Sequence, residues 1–452
     1  MNNITPWWHK CSAVLRYMPG EDGKSINDII AELDDVSECG FKAIHITAPY
    51  RSAGFYPWWG LRPLDHFAVN EVLGGSMDDF SRLVEECHMR GIRVVIFLNI
   101  GYDDVDSILW KAACLARGCS LIMPKNDYFL WSRSPCAPPP FPSDECFLQS
   151  GHWHRSREAG QYYWCYWERD GIAEPQYNWQ DAGFQSYAAA VLRHWLATGI
   201  DGIIVDAVNW YAGCTKPLIR SLVTDTIHGY ANVMCIPEGA TGFGDPFMPW
   251  LTECGFDIIE DQPFHSDEHW NGSTIIRAID SSDPNVIDSA LEQCRKVRDM
   301  GAVSWSYLSW GSSWTPEKRL LEIAMLIGTG HMTDIIPSYL SGFDSIQKEK
   351  LRKLIKASRH QTLWPSKERL RVFPTFAASC YCCLCGPGED QPVLCIFNLS
   401  DKTTDVSITL AELPDLKNNC FRDLISGKAV YPFDGCIEAT LEPFGFTFII
   451  PE

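Results

Sequence analysis

The chain has no apolar run approaching the roughly 18–20 residues of a membrane-spanning helix, so neither a span nor a membrane partner is expected. Positive charge is scarce: 38 Lys and Arg stand against 57 Asp and Glu, a formal net charge of −19. That balance argues against nucleic acid or an anionic lipid surface as the main partner. The opening residues, MNNITPWWHK, lack the basic-then-apolar layout of a secretory signal, and the reading is a cytoplasmic chain. The 19 cysteines then read as reduced thiols, and the sequons at Asn3, Asn271 and Asn398 carry no meaning. Cys380, Cys382, Cys383 and Cys385 are tightly clustered, but strand alternation would split them between two faces. No second cysteine pair lies nearby, so zinc is not expected. No glycine-rich phosphate loop occurs in strand–helix context, and Gly386-Pro387-Gly388 reads as a turn; no cofactor is expected.

What is present in excess is aromatic. Eighteen Trp and 16 Tyr accompany a length of 452 residues that favours two or three domains. Many of these rings fall in predicted loops, including Trp7, Trp8, Trp58, Trp59, Trp131, Trp153, Trp164, Trp167, Trp179, Trp310 and Trp314. Loop aromatics suit stacking on the apolar faces of sugar rings, and equally suit packing against their own scaffold.

Strand-like runs alternate with helical periodicity: Ala13–Met18, the helix Ile26–Ser37, Ala43–Thr47, the helix Met77–Arg90, and Arg93–Asn99. A Pro-, Trp- and Tyr-rich stretch interrupts this order from about Tyr102 to Trp179 and reads as an inserted subdomain. Alternation resumes with strands at 202–206, 232–238, 256–259, 303–308 and Leu326–Ile336, then a helix near Ser345–Arg359. After about Arg371 only short β-rich runs remain. The expected fold is α/β: a (β/α)8 TIM barrel over 1–101 and 180–370, an insertion at 102–179 after the third strand, and a C-terminal antiparallel β-sandwich domain at 371–452.

Two strands carry the chemistry. GIIV at 202–205 runs into Asp206, and Met234–Pro237 runs into Glu238. A carboxylate at the carboxyl end of a buried parallel strand is expensive, and in a barrel that end is the active-site face. A helix-capping role for Asp206 is the competing reading. The two acids lie one strand–helix–strand unit apart, which brings them to one rim. Paired carboxylates at a rim are what glycoside chemistry uses, one attacking the anomeric carbon and the other protonating the leaving oxygen.

In its motifs the chain resembles the α-amylase family of retaining α-glycosidases, in particular the oligo-α-glucosidase and sucrose-isomerase-like branch. The resemblance rests on Trp7-Trp8, Gly60–Asn70 (GLRPLDHFAVN), Phe80–Asn99, Asp127–Trp131 (DYFLW), Gly160–Tyr163 and Pro175–Trp179 (PQYNW). It places Asp206 at the nucleophile position and Glu238 at the acid/base position. It also exposes departures. The family's Arg two residues before the nucleophile is Ile204, which removes a charge that keeps the nucleophile ionised and predicts a raised pKa for Asp206. The Asp of the Gly-Tyr-Asp motif is Arg62, the third-strand motif reads Phe97, Gly101 and Tyr102, and the seventh-strand Asn-His-Asp reads Ser309-Trp310-Gly311. The third catalytic carboxylate is therefore missing, with Glu260 or Asp261 as substitutes or as mere cap or loop acids. The acidic loop after the first strand is cut to Gly20-Glu21-Asp22-Gly23-Lys24, which leaves no case for a bound metal.

The expected partner is a small-molecule glycoside other than a plain α-glucoside, hydrolysed or transferred. Arg62, Tyr102, Trp310, Ile204, Trp58 and Asp261 are the candidate substrate-binding residues. Arg62 would meet an anionic group or else pair with Asp65. The alternative is a non-catalytic sugar- or partner-binding descendant. Sequence sets no oligomeric state.

Overall fold

The computed structural model describes residues 5–54, 59–119, 127–140, 151–239, 248–260, 274–308, 314–413, 416 and 420–452. Eight short strands alternate with helices: β1 Ala13–Tyr17, β2 Ala43–Thr47, β3 Arg93–Leu98, β4 Gly202–Val205, β5 Met234–Pro237, β6 Ile258–Glu260, β7 Val303–Tyr307 and β8 His331–Ile335. They pair in the order β5-β4-β3-β2-β1-β8-β7-β6, the cyclic sequence of a (β/α)8 barrel. The strands are parallel where β1 meets β8, β3 and β5 meet β4, and β7 meets β8. β2, β4 and β5 are buried along their whole lengths. Burial on both faces explains why they read as continuous apolar runs rather than alternating ones.

By packing, the chain forms two compact units, one of residues 16–34 and 44–260, the other of residues 1–15, 35–43 and 261–452. The first contains β3 to β6. Its helices start on side-chain caps: Ser76 and Asp79 form a reciprocal capping box for Met77–Met89, and Asp181 caps Ala182–Leu196. Gly202 opens β4 without a Cβ because Met234 fills that space; an added Cβ would lie 2.6 Å from Met234 Cγ.

Between β2 and β3, Tyr50–Ser52 pairs antiparallel with Pro63–Val69. Between β3 and β4, the short strands Trp131–Ser132, His152–Arg155, Tyr162–Arg169 and Ile172–Pro175 form a sheet of their own. Four of the tryptophans offered as sugar platforms belong to its packing. Trp131 stacks on Trp110 at 5.0 Å, Trp153 meets Trp164 edge-on at 5.0 Å, and Trp179 stacks on Tyr211 at 4.8 Å. This region is too small to bury aliphatic layers and builds its core from interlocked rings instead.

The second unit holds residues 13–15 of β1, β7 and β8 and the antiparallel strands β9 Arg369–Val372, β10 Cys380–Cys385, β11 Val393–Asn398, β12 Thr404–Thr409, β13 Phe421–Asp423, β14 Ala429–Val430, β15 Cys436–Leu441 and β16 Phe446–Pro451. They form a six-stranded sheet, β9-β10-β11-β16-β13-β14, and the pair β12-β15. Cys380, Cys382 and Leu384 face a core shared with Val406, Ile408 and Ile437. Two sequence expectations are corrected in this unit. The apolar stretch Leu326–Ile336 is not one strand: residues 326–329 are the last turn of the helix Pro316–Thr329, and Gly330, at φ +95°, turns the chain into β8. The cysteines of β10 do have a neighbour, because β11 places Cys395 directly opposite Cys383.

Candidate active site

The sheet carries its hydrogen-bond ladder one residue past the ends of β4 and β5. The Asp206 N–H donates to the Leu98 carbonyl and the Glu238 N–H to the Val205 carbonyl, each at 3.0 Å. Both acids are thus fixed by the barrel rather than by a loop, and both are buried, Asp206 at 4% exposure and Glu238 at 7%. Ala207 then turns the backbone with φ +42° and ψ +43°, a left-handed conformation that costs a non-glycine residue about 1–2 kcal/mol. In that turn its N–H donates to Glu238 Oε2 at 2.7 Å. One strand further on, the Gly239 N–H donates to Glu260 Oε2 at 2.6 Å. The three strand-end carboxylates are thereby linked, each later acid accepting from the residue that follows the earlier one. Glu260, fully buried at the end of β6, joins this relay.

Burial, and next the charge of Glu238, push the Asp206 carboxyl well above its ordinary range, while the facing Tyr102 hydroxyl opposes the shift. The direction agrees with the loss of a cation at Ile204, an almost fully buried residue in register with Phe97 and Ile236. Tyr50, Tyr102 and Tyr211 crowd the same carboxyl. Burial first, then the charge of Asp206, raises all three phenols well above normal. Gly101 is required here by close approach, since a Cβ would lie 2.4 Å from Tyr211 Cε1. Among the described residues nothing hydrogen-bonds the buried Asn209 Oδ1.

Arg62 lies 2.5 Å from Asp104 Oδ2 through Nη2 and 3.0 Å from Glu174 Oε1 through Nε, all three side chains being buried. The pairing with Asp65 weighed from sequence is replaced by this one, because the inserted sheet brings Glu174 and the β3 loop brings Asp104 to the guanidinium. Burial, then Asp104, pushes Glu174 up to about 9 against the pull of Arg62. Tyr102 stands between the two groups, since Asp206, Glu174 and Glu238 all act on its hydroxyl.

Of the residues expected at the site, Asp206, Glu238, Tyr102, Ile204 and Arg62 are placed as above. Trp58, Asp261 and Trp310 lie outside the described residues, as do Ser309 and Gly311. Sequence reading missed Tyr50, Asn209, Tyr211, Asp104 and Glu174. Tyr50 follows the end of β2 by three residues, so the rule of reading strand ends would have reached it; Glu174, in the insertion, had no such signal. Among the described residues, two groups present metal-type ligands, and neither includes the paired acids: Cys383, Cys385 and Cys395, and the more exposed His152, His154 and Glu168.

The fold defines the class, a (β/α)8 barrel. Residues 19–233 match the family model described as "Alpha amylase, catalytic domain", which bears out the resemblance read from the motifs. Among curated proteins, the chain is 25% identical over 213 residues to trehalose-6-phosphate hydrolase of Bacillus subtilis, covering 45% of this chain and 36% of that protein. It is 26% identical over 214 residues to oligo-1,6-glucosidase of Heyndrickxia coagulans, covering 46% and 36%. The chain thus spans about a third of the length of these relatives, 36% in each case. Among solved structures, the α-amylase of Geobacillus thermoleovorans complexed with acarbose superposes with a TM-score of 0.71 at 14% identity, over 98% of this chain and 99% of that one. At that identity the likeness speaks for the fold. No described helix is long and apolar enough to cross a membrane.

Proposed function

We propose that this chain is a carbohydrate-active enzyme of the retaining α-glycosidase type, with Asp206 as nucleophile and Glu238 as general acid/base, acting on a glycoside other than a plain α-glucoside by hydrolysis or transfer. One observation carries the reading: the Asp206 carboxyl is buried at a barrel strand end beside a second buried strand-end carboxylate, Glu238. Two carboxyl groups held side by side in a buried place are costly, and paired carboxylates are what glycoside chemistry uses. In the first step Asp206 Oδ2 would form the bond to the anomeric carbon while Glu238 gives its proton to the departing oxygen. In the second, Glu238 takes a proton from water or an acceptor hydroxyl, and the glycosyl–Asp206 ester breaks.

Arg62 enters the proposal as a positioning residue. Its guanidinium is committed to Asp104 and Glu174, which leaves the anion-binding role without support. The relatives are a trehalose-6-phosphate hydrolase and an oligo-1,6-glucosidase, and both sugar classes belong in a substrate screen. Acid-quenching the enzyme during turnover and mapping peptides by mass spectrometry tests the assignment. A glycosyl ester on Asp206 supports it, and an adduct elsewhere overturns it.

The second reading, a binding protein descended from such enzymes, is favoured by the same burial, which holds the Asp206 carboxyl toward its neutral form. Binding of a glycoside with no turnover would establish it.

A further inference from the structure

The six-stranded C-terminal sheet has a second buried face. On it the thiols of Cys383, Cys385 and Cys395 converge, their sulfur atoms within 4.8 Å of one another and those of Cys385 and Cys395 3.6 Å apart. The helix Pro316–Thr329 comes close at Gly328, where a Cβ would meet Phe397 Cζ at 2.6 Å and Cys395 Cβ at 3.6 Å. The Gly328 carbonyl reaches Cys385 Sγ at 3.3 Å and Cys383 Sγ at 3.7 Å, and accepts from Arg369 Nε at 3.1 Å. We propose that Cys383, Cys385 and Cys395 form a buried three-thiolate site for one thiophilic d10 ion, Zn(II) or Cu(I).

Geometry and charge both favour an ion here. Three sulfurs each about 2.3 Å from one ion stand about 3.8–4.0 Å apart, close to the spacing of these free thiols. Two guanidinium groups act on these thiols, Arg369, which is buried, and Arg298, which is half-buried. Arg369 donates to the main-chain carbonyls of Gly328, Leu363, Trp364 and Lys367, and Arg298 Nη1 is buried with no hydrogen-bond partner among the described residues. Neither forms an ion pair among the described residues, and a buried cation in that position calls for negative charge nearby. Three thiolates around Zn(II) or Cu(I) carry that net negative charge. Soft sulfur ligands select Zn(II) and Cu(I) over hard cations. The thiols release their protons on binding, so uptake strengthens with pH.

The test uses the full chain, reduced and stripped by a chelator, then titrated with Zn(II) or, without oxygen, with Cu(I). Uptake of one ion per chain is expected. Affinity should fall by at least about 100-fold in Cys385→Ser and in Cys395→Ser, and stay unchanged in Cys382→Ser, whose side chain faces the opposite core. Should the serine variants fail to fold, X-ray absorption of the loaded wild type decides the matter, with three sulfur neighbours expected. No stoichiometric uptake of either ion, fewer than three sulfurs at the metal, or an intact mass showing an oxidised thiol pair would overturn the proposal.

Discussion

The backbone N–H of Ala207 donates to the carboxylate of Glu238 at 2.7 Å, so the residue beside one candidate catalytic acid holds the other. The bond exists because Ala207 adopts a left-handed conformation at the end of β4, and it removes rotational freedom from Glu238 before any ligand arrives. Glutamine keeps an acceptor at that position. Glu238→Gln is therefore expected to hold its stability to within about 1 kcal/mol while losing about 10²–10⁴-fold in activity. Glu238→Ala should lose the same activity and a further 1–3 kcal/mol or so, because the Ala207 N–H is left buried and unpaired. Urea melts alongside rate measurements separate the two effects.

Asp206 must be ionised to attack. Burial and the neighbouring Glu238 charge raise its pKa, so the attacking form accumulates only as pH rises above the ordinary carboxylate range. The acid limb of the kcat/KM profile is predicted to lie on the alkaline side of a normal aspartate. A profile already at its plateau near pH 5 contradicts this placement of Asp206.

Arg62 and Glu174 make a second testable pair. With its pKa near 9, Glu174 keeps its proton at neutral pH and Asp104 serves as counter-ion to Arg62. A carboxyl raised from 4.5 to about 9 binds its proton more tightly in the folded state, so its contribution is complete below 4.5 and is lost as pH climbs through about 9. Glu174→Gln should be tolerated at pH 7 and should flatten the loss of stability between pH 7 and 9. Arg62→Gln should cost about 3–5 kcal/mol by leaving buried acid uncompensated. Thermal melts of both variants at several pH values check this.

His66 titrates in the opposite direction. It is buried, with Nε2 2.8 Å from the Asn99 carbonyl and Nδ1 3.0 Å from the Tyr187 hydroxyl, and burial lowers its pKa from 6.5 to about 4. The unfolded chain takes up a proton first, so stability should fall as pH drops from about 6.5 to about 4, by up to roughly 3 kcal/mol. His66→Gln should weaken that dependence, as pH-resolved denaturation would reveal.

Much of this was legible in the sequence for physical reasons. A parallel strand buried on both faces must be a short apolar run, and Ile203-Ile204-Val205 and Met234-Cys235-Ile236 announce themselves that way. An acid at the end of such a run is conspicuous, which is how Asp206 and Glu238 were found. Arg62 was found but its partners were not: Asp104 reaches it from the loop after β3 and Glu174 through the inserted sheet, and no local spacing encodes the Glu174 contact across 112 residues of chain. The aromatic stretch left two readings open for a related reason, since rings that pack with one another and rings that stack on sugars have the same composition. Cys395 escaped notice because cross-strand register, not sequence distance, brings it to Cys383.

The central claim is that Asp206 does chemistry. It is tested most directly by incubating a panel of neutral and phosphorylated glycosides with the wild type and with Asp206→Asn, reading products by mass spectrometry. The account predicts that the wild type consumes at least one substrate and that the variant, folded and of unchanged melting temperature, consumes none. Equal turnover by the two proteins would contradict it, and so would a wild type that binds glycosides yet converts none of them.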